Sequence, residues 1–96
     1  MNRYRAGRAK EYAARKDLEH RGGYVIRSAG SKGLVDLVAI FLGVVWLVQV
    51  KYVQAGASWR DANWRKLFAL SMPPHVTRVA YIYRRGVTAP TLVFAP

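Results

Sequence analysis

The spacing of apolar and polar positions changes several times along this chain. Over residues 7–21 the good helix formers Ala9, Lys10, Ala13, Ala14, Arg15, Lys16 and Leu18 occur with no β-branched residue among them, and Gly22 and Gly23 follow as a stop. A helix is predicted there, preceded by a flexible basic arm over residues 1–6 that carries Arg3 and Arg5. Residues 24–28 then read as a strand, 29–33 as a loop, 34–41 as a second strand, Leu42 and Gly43 as a turn, and 44–52 as a third strand. Gln54 to Ala57 break the pattern. Ser58 is the expected cap of a helix reaching about Met72, with Asp61 in the capping-box position and Trp64, Leu67, Phe68 and Ser71 on one face. Pro73 and Pro74 end that helix, and strands over 76–84 and 91–94 complete an α-β-β-β-α-β-β order. The expectation is one α/β domain over residues 1–96, with about five strands flanked by helices.

The uncharged run over 37–48 raises the question of a membrane span. Twelve residues fall short of the ~20 that a spanning helix needs, and two buried strands explain the run better. No signal peptide is expected, because no apolar core follows the Arg-rich start.

Charge changes the picture most. Sixteen Lys and Arg face five Asp and Glu, a net charge of +11. Such an excess opposes compactness by self-repulsion, so a polyanionic partner is expected, with nucleic acid first among the choices. The absence of cysteine excludes disulfides, thiolate metal sites and Cys nucleophiles, and fits a reducing cytoplasm. No base-reading motif is present, which favours recognition of DNA shape over sequence.

The hairpin supplies candidate chemistry. With the turn centred between Leu42 and Gly43, opposed residues sum to 85, so Asp36 faces Gln49, and Lys51 lies on the same face two residues on. A divalent cation such as Mg²⁺, or Mn²⁺ in its place, takes hard oxygen ligands. The Asp36 carboxylate, the Gln49 side-chain oxygen and the Val50 carbonyl are the candidate ligands, with Lys51 near the attacking water or the reacting phosphate. The pattern alone also admits an ordinary Asp36–Lys51 ion pair and a Gln49 amide satisfied within the core.

Asp36, an apolar hairpin and then Gln49-Val50-Lys51 resemble the PD-(D/E)xK nuclease motif. Gly7 and Glu11 at the helix start, the strand from Gly23 to Arg27 and the loop serines Ser28 and Ser31 resemble the corresponding parts of archaeal-type Holliday junction resolvases. The resemblance spans residues 7–52. It implies a restriction-endonuclease-like fold with a central mixed sheet, and a homodimer that makes paired nicks in a four-way DNA junction. It implies Glu11 as a helix-borne carboxylate reaching the metal, Asp36 as the central ligand, Lys51 as the motif lysine and Ser31 as the loop serine near the scissile phosphate. Arg27 and Lys32 flank that loop. Arg3, Arg5, Arg8, Lys10, Arg60, Arg65 and Lys66 are further expected DNA contacts, with Arg78, Arg84 and Arg85 also on offer. A prokaryotic cell or its virus-infected cytoplasm is the expected setting, with no membrane and no organic cofactor involved.

Two departures matter. Gln49 stands where these nucleases carry Glu or Asp, so weaker metal binding is expected, and Gln49→Glu is expected to relieve it. Val35 stands where they carry Pro. The alternatives are a flap- or restriction-like nuclease of the same superfamily and a catalytically inactive basic DNA-binding protein. The aromatic helix and the last strands are the expected subunit contact.

Overall fold

The computed structural model describes residues 3–28 and 33–95, with side chains from Gly7 onward. Seven elements follow in the expected order: α1 (Arg3–His20), β1 (Tyr24–Arg27), β2 (Leu37–Phe41), β3 (Val44–Val53), α2 (Ala62–Ala69), β4 (Val76–Arg84) and β5 (Thr91–Phe94). The strands form one mixed sheet in spatial order β1-β2-β3-β4-β5, in which β3 and β4 are parallel and every other neighbouring pair is antiparallel. The α2 segment is the crossover that a parallel pair requires. The fold is thus an α/β sheet flanked by two helices, compatible with the restriction-endonuclease-like architecture.

Helix α1 begins four residues earlier than predicted, so residues 3–6, expected as an arm, have helical backbone. Tyr4, Arg5 and Ala6 are compatible with a helix, and Gly7 costs only about 1 kcal/mol inside one. The other end closes as the paired glycines require. The Gly22 N–H donates to the Glu19 carbonyl and the Gly23 N–H to the Leu18 carbonyl, both at 3.0 Å, with Gly22 at φ 96. This is a Schellman stop, in which glycine takes the left-handed position at low cost. Gly23 is fixed by space as well, since a Cβ there would meet the Leu18 carbonyl and the Phe41 ring at 3.0 Å.

The sheet carries a core on each face. Ala14 and Leu18 of α1 pack with Val25, Leu37, Ala39, Val48, Val79, Tyr81 and Tyr83 on one side. Trp64 and Leu67 of α2 pack with Trp59, Ala80, Ile82 and Ala95 on the other. Tyr81, Tyr83, Trp59 and Trp64 therefore serve the chain's own interior. Tyr81 is fully buried, and its hydroxyl donates to Asp17 at 2.5 Å, while Arg21 holds the same carboxylate at 2.7 Å. A buried hydroxyl without such a partner costs about 1–3 kcal/mol.

Helix α2 is shorter than predicted and starts later. Its N-cap is Asp61, whose Oδ1 accepts from the Trp64 N–H at 2.9 Å. Ser58 instead turns back locally, accepting from the Arg60 N–H at 3.3 Å. At the far end the Arg78 guanidinium donates to the carbonyls of Phe68 and, at 2.8 Å, Leu70, satisfying groups the helix leaves bare. Arg84 donates to the Ala57 carbonyl at 2.8 Å. These two arginines, expected on DNA, hold the chain's own backbone.

The Asp17 network has a pH signature. Burial pushes the Asp17 carboxyl up, but the hydrogen bonds from Tyr81 and Arg21 together outweigh it and hold the group below its ordinary value. The unfolded chain therefore binds the proton more readily. The stabilisation is complete above the unfolded carboxylate value and is lost as pH falls through the lower folded one. Asp17→Asn is expected to lower stability by about 1–2 kcal/mol at pH 7 and to flatten the acid side of the stability profile, as read by urea denaturation from pH 7 to 3.

Candidate active site

The site forms where the β2–β3 pair opens. The hairpin register is as predicted: Leu37 opposes Val48 and Phe41 opposes Val44, with Gly43 at φ 81 in the turn. The pairing stops one residue short of Asp36. The Asp36 N–H still donates to the Val48 carbonyl at 2.8 Å, and its carbonyl accepts from the Ser28 N–H at 2.9 Å. Continued register would oppose Val50 to Val35, but residues 34–36 bend out of the ladder instead. The Asp36 Oδ2 takes the Val50 N–H at 2.7 Å in place of a backbone acceptor. This is why β2 begins at Leu37 and not at the predicted residue 34. In an extended strand the N–H and C=O of one residue point to the same side, so the Val50 carbonyl also faces the opening.

Gln49 is 2% exposed. Its Nε2 donates to the Leu34 carbonyl at 2.7 Å and to the Asn63 carbonyl at 3.0 Å, which pins the bent segment and the first turn of α2 to β3. The two carbonyls fix the amide orientation, because the reverse would set oxygen against oxygen. Its Oε1 is buried and has no hydrogen-bond partner. Lys51, its side chain 12% exposed, gives its Nζ to Asp61 Oδ2 at 2.6 Å. The ordinary Asp36–Lys51 ion pair that the sequence admitted is therefore not formed.

On the α1 side, Glu11 Oε1 accepts from Arg27 Nε at 2.6 Å. Glu11 and Arg27 line a cleft of about 420 Å³ with Arg8, Ala9, Tyr12, Arg15 and Leu37. Glu11, Lys51 and Asp61 all lie near enough to Asp36 to act on its charge. Burial chiefly pushes the Asp36 carboxyl above its ordinary value, against the Val50 hydrogen bond, and the Glu11 charge adds to the rise. Glu11, Asp17, Glu19 and Asp61 each hold a salt bridge. Among the described residues Asp36 is the one acid that has none. In a chain with eleven surplus cationic groups, its isolation is specific to this opening.

Of the predicted DNA contacts, Arg8 and Arg27 line the cleft, and Lys10 sits over the rings of Tyr52 and Tyr83, at 5.1 and 5.5 Å from their centroids. Arg60 stacks on Trp59 at 4.6 Å and, with Arg65, Trp64 and Phe68, lines a second hollow of about 260 Å³ on α2. Lys66 is exposed in the last turn of α2. Arg3 and Arg5 lie on the α1 backbone, their side chains outside the description. Ser31 and Lys32 fall outside the described residues. Two residues were missed. Arg15 was legible, standing four residues after Glu11 and seven after Arg8 on one helix face. Asp61 carried no signal as the partner of Lys51, because a broken loop separates them in sequence.

Among the described residues no three His, Cys, Asp or Glu side chains cluster tightly enough to hold a metal. Any cation here would rest on a mixed set of oxygens. The family model described as archaeal Holliday junction resolvase (Hjc) matches residues 2–58, more than half of the 96-residue chain, and takes in Glu11, Asp36, Gln49 and Lys51. The search of curated proteins finds no match.

The two bonds donated by Gln49 change what a glutamate would do there. A carboxylate has no N–H to offer and would face the Leu34 and Asn63 carbonyls directly. Gln49→Glu is expected to lose about 2 kcal/mol or more of stability, not to improve metal binding. A urea midpoint equal to that of the parent would show that the amide does not hold these segments.

Proposed function

Because the chain belongs to the archaeal Holliday junction resolvase family, we propose that it is a metal-dependent endonuclease that cuts four-way DNA junctions by paired, symmetric nicks. The observation that carries the metal is the conjunction at the strand opening: a half-buried carboxylate without a cation partner, Asp36, and on the adjoining strand a buried amide oxygen, Gln49 Oε1, without a donor. An uncompensated carboxylate and an unmet acceptor are each costly inside a protein, and one divalent cation relieves both.

Asp36, Gln49 Oε1 and the Val50 carbonyl would hold Mg²⁺ or Mn²⁺, with Glu11 near enough to assist from α1. All are hard oxygen donors, as those ions require. The ion, when bound, supplies an acidified water and polarises the phosphate. The rest falls to side chains. Lys51 presents an ammonium with three donors, only one of which Asp61 takes. Its positive charge opposes the negative charge that builds on the reacting phosphate. Arg8, Arg15 and Arg27 set guanidinium groups along the cleft beside Glu11, where they seat the DNA backbone by bidentate contact. Ser31, outside the described residues, is proposed as the hydroxyl near the scissile phosphate. Among the described residues no helix is long and apolar enough to cross a membrane; on the nuclease reading itself, the proposed setting is cytoplasmic DNA.

Cutting two strands calls for two sites, which a twofold homodimer provides. Trp64 and Leu67, expected at the subunit contact, are buried in the chain's own core. The reading is better supported by the sheet face that α2 leaves bare near the β1 edge, where Tyr24, Ile26 and Ile40 are exposed. Tyr24 opposes Ile40 across the β1–β2 pair, so the apolar patch is continuous. Ile40→Arg is expected to convert a dimer into a monomer in sedimentation analysis. A parent that sediments as a monomer at micromolar concentration would remove the dimer from the scheme.

The activity test uses a synthetic four-way junction and a linear duplex of matching sequence, each with and without Mg²⁺. Paired nicks in the junction alone are expected, and only with metal. Asp36→Asn and Lys51→Ala are expected to lower the cleavage rate by about 10²-fold or more while retaining junction binding. Equal cutting of the linear duplex would reassign the substrate, and full activity in either variant would refute the site.

A further inference from the structure

Two residues of the motif strand reach across to the same short piece of chain. Lys51 Nζ bonds Asp61 Oδ2 at 2.6 Å, and Gln49 Nε2 bonds the Asn63 carbonyl at 3.0 Å. Asp61 is also the α2 N-cap, its Oδ1 holding the Trp64 N–H at 2.9 Å. One carboxylate thus has two tasks, one oxygen for each. Trp64 is 5% exposed and packs edge-on against Trp59 with ring centroids 5.3 Å apart, so the cap is anchored in the core. Through Asp61 the lysine inherits that anchorage.

The geometry points to Asp61 as a positioning residue for Lys51: it fixes the lysine ammonium from the α2 N-cap and so orients it for the cleavage step. This rests on the nuclease reading above, and Asp61 lies outside the matched residues 2–58. The physical reason is entropy. A lysine side chain carries about 2 kcal/mol of rotamer freedom, which a free ammonium must lose each time it meets a phosphate. With its stem largely enclosed and one N–H held by Asp61, Lys51 has lost that freedom before DNA arrives, and two N–H donors remain for the phosphate or its water. Both acceptor roles of Asp61 can be separated, because asparagine and serine also cap helices through a side-chain oxygen but bring no charge to the lysine.

The experiment compares the full chain with its Asp61→Asn, Asp61→Ser and Asp61→Glu variants. Four quantities are read: the urea midpoint, junction affinity without metal, single-turnover junction cleavage with Mg²⁺, and the ¹⁵N signal of the Lys51 ammonium. Asn and Ser are expected to hold junction affinity within about twofold and to keep the cooperative unfolding transition near its parental midpoint. Cleavage is expected to slow about 10- to 100-fold as the ammonium loses its fixed direction. The ammonium signal should weaken with it, and Asp61→Glu should recover part of the rate. Parental or faster cleavage by Asp61→Asn would overturn the role, faster cleavage marking the pair as a brake. A parent that cuts neither junction nor linear DNA would bring down the nuclease reading and this role together, whereas an active parent with an indifferent Asn variant would bring down the role alone.

Discussion

A buried backbone N–H must find an acceptor, and at Val50 that acceptor is a side chain. The β2 strand stops pairing at Leu37, and the Asp36 carboxylate takes the bond that a ladder carbonyl would have made. Everything distinctive about this end of the molecule follows from that substitution. It turns residues 34–36 out of the ladder and brings the Asp36 carboxylate to the Val50 N–H. Gln49 completes the arrangement by tying Leu34 and Asn63 to the same strand. The opening is a built feature and not a frayed end, because three separate polar contacts hold it.

The charges around it are distributed with the same economy. The chain has few acids, and four of the five neutralise a nearby cation. Such pairs contribute little stability when exposed. Their main effect here is directional: Arg27 fixes Glu11 between helix and sheet, and Asp61 fixes Lys51. Asp36 alone is left with a peptide N–H as its partner.

Much of this was readable from residue order. The hairpin register followed from one turn, because a symmetric loop at Leu42 and Gly43 leaves no other pairing, and that register puts Asp36, Gln49 and Lys51 at one end. The paired glycines marked the end of α1 correctly. Other features depend on contacts between distant segments. Ser58 has the chemistry of a helix cap, yet a local turn to Arg60 satisfies it, and the cap passes to Asp61, which gains Lys51 as a second partner. Arg78 and Arg84 look like phosphate contacts in a basic chain, and only the tertiary fold reveals the carbonyls they serve. The tie that the Gln49 amide nitrogen makes to α2 was illegible for the same reason, since Asn63 is fourteen residues away.

The single parallel pair in the sheet bears on how far the molecule can be dissected. All residues of the motif lie within the first 51 of the chain's 96 residues, which invites the idea of a detachable catalytic module. Yet β3 is flanked on one side by β2 only as far as Leu37–Val48, and its other side is matched from Val45 through Val53 by β4. Cutting the chain after the motif would strip the long strand of that neighbour and of the crossover helix that grips it. Reactive groups and scaffold are therefore interleaved, and the smallest unit able to present this opening includes the second half of the chain.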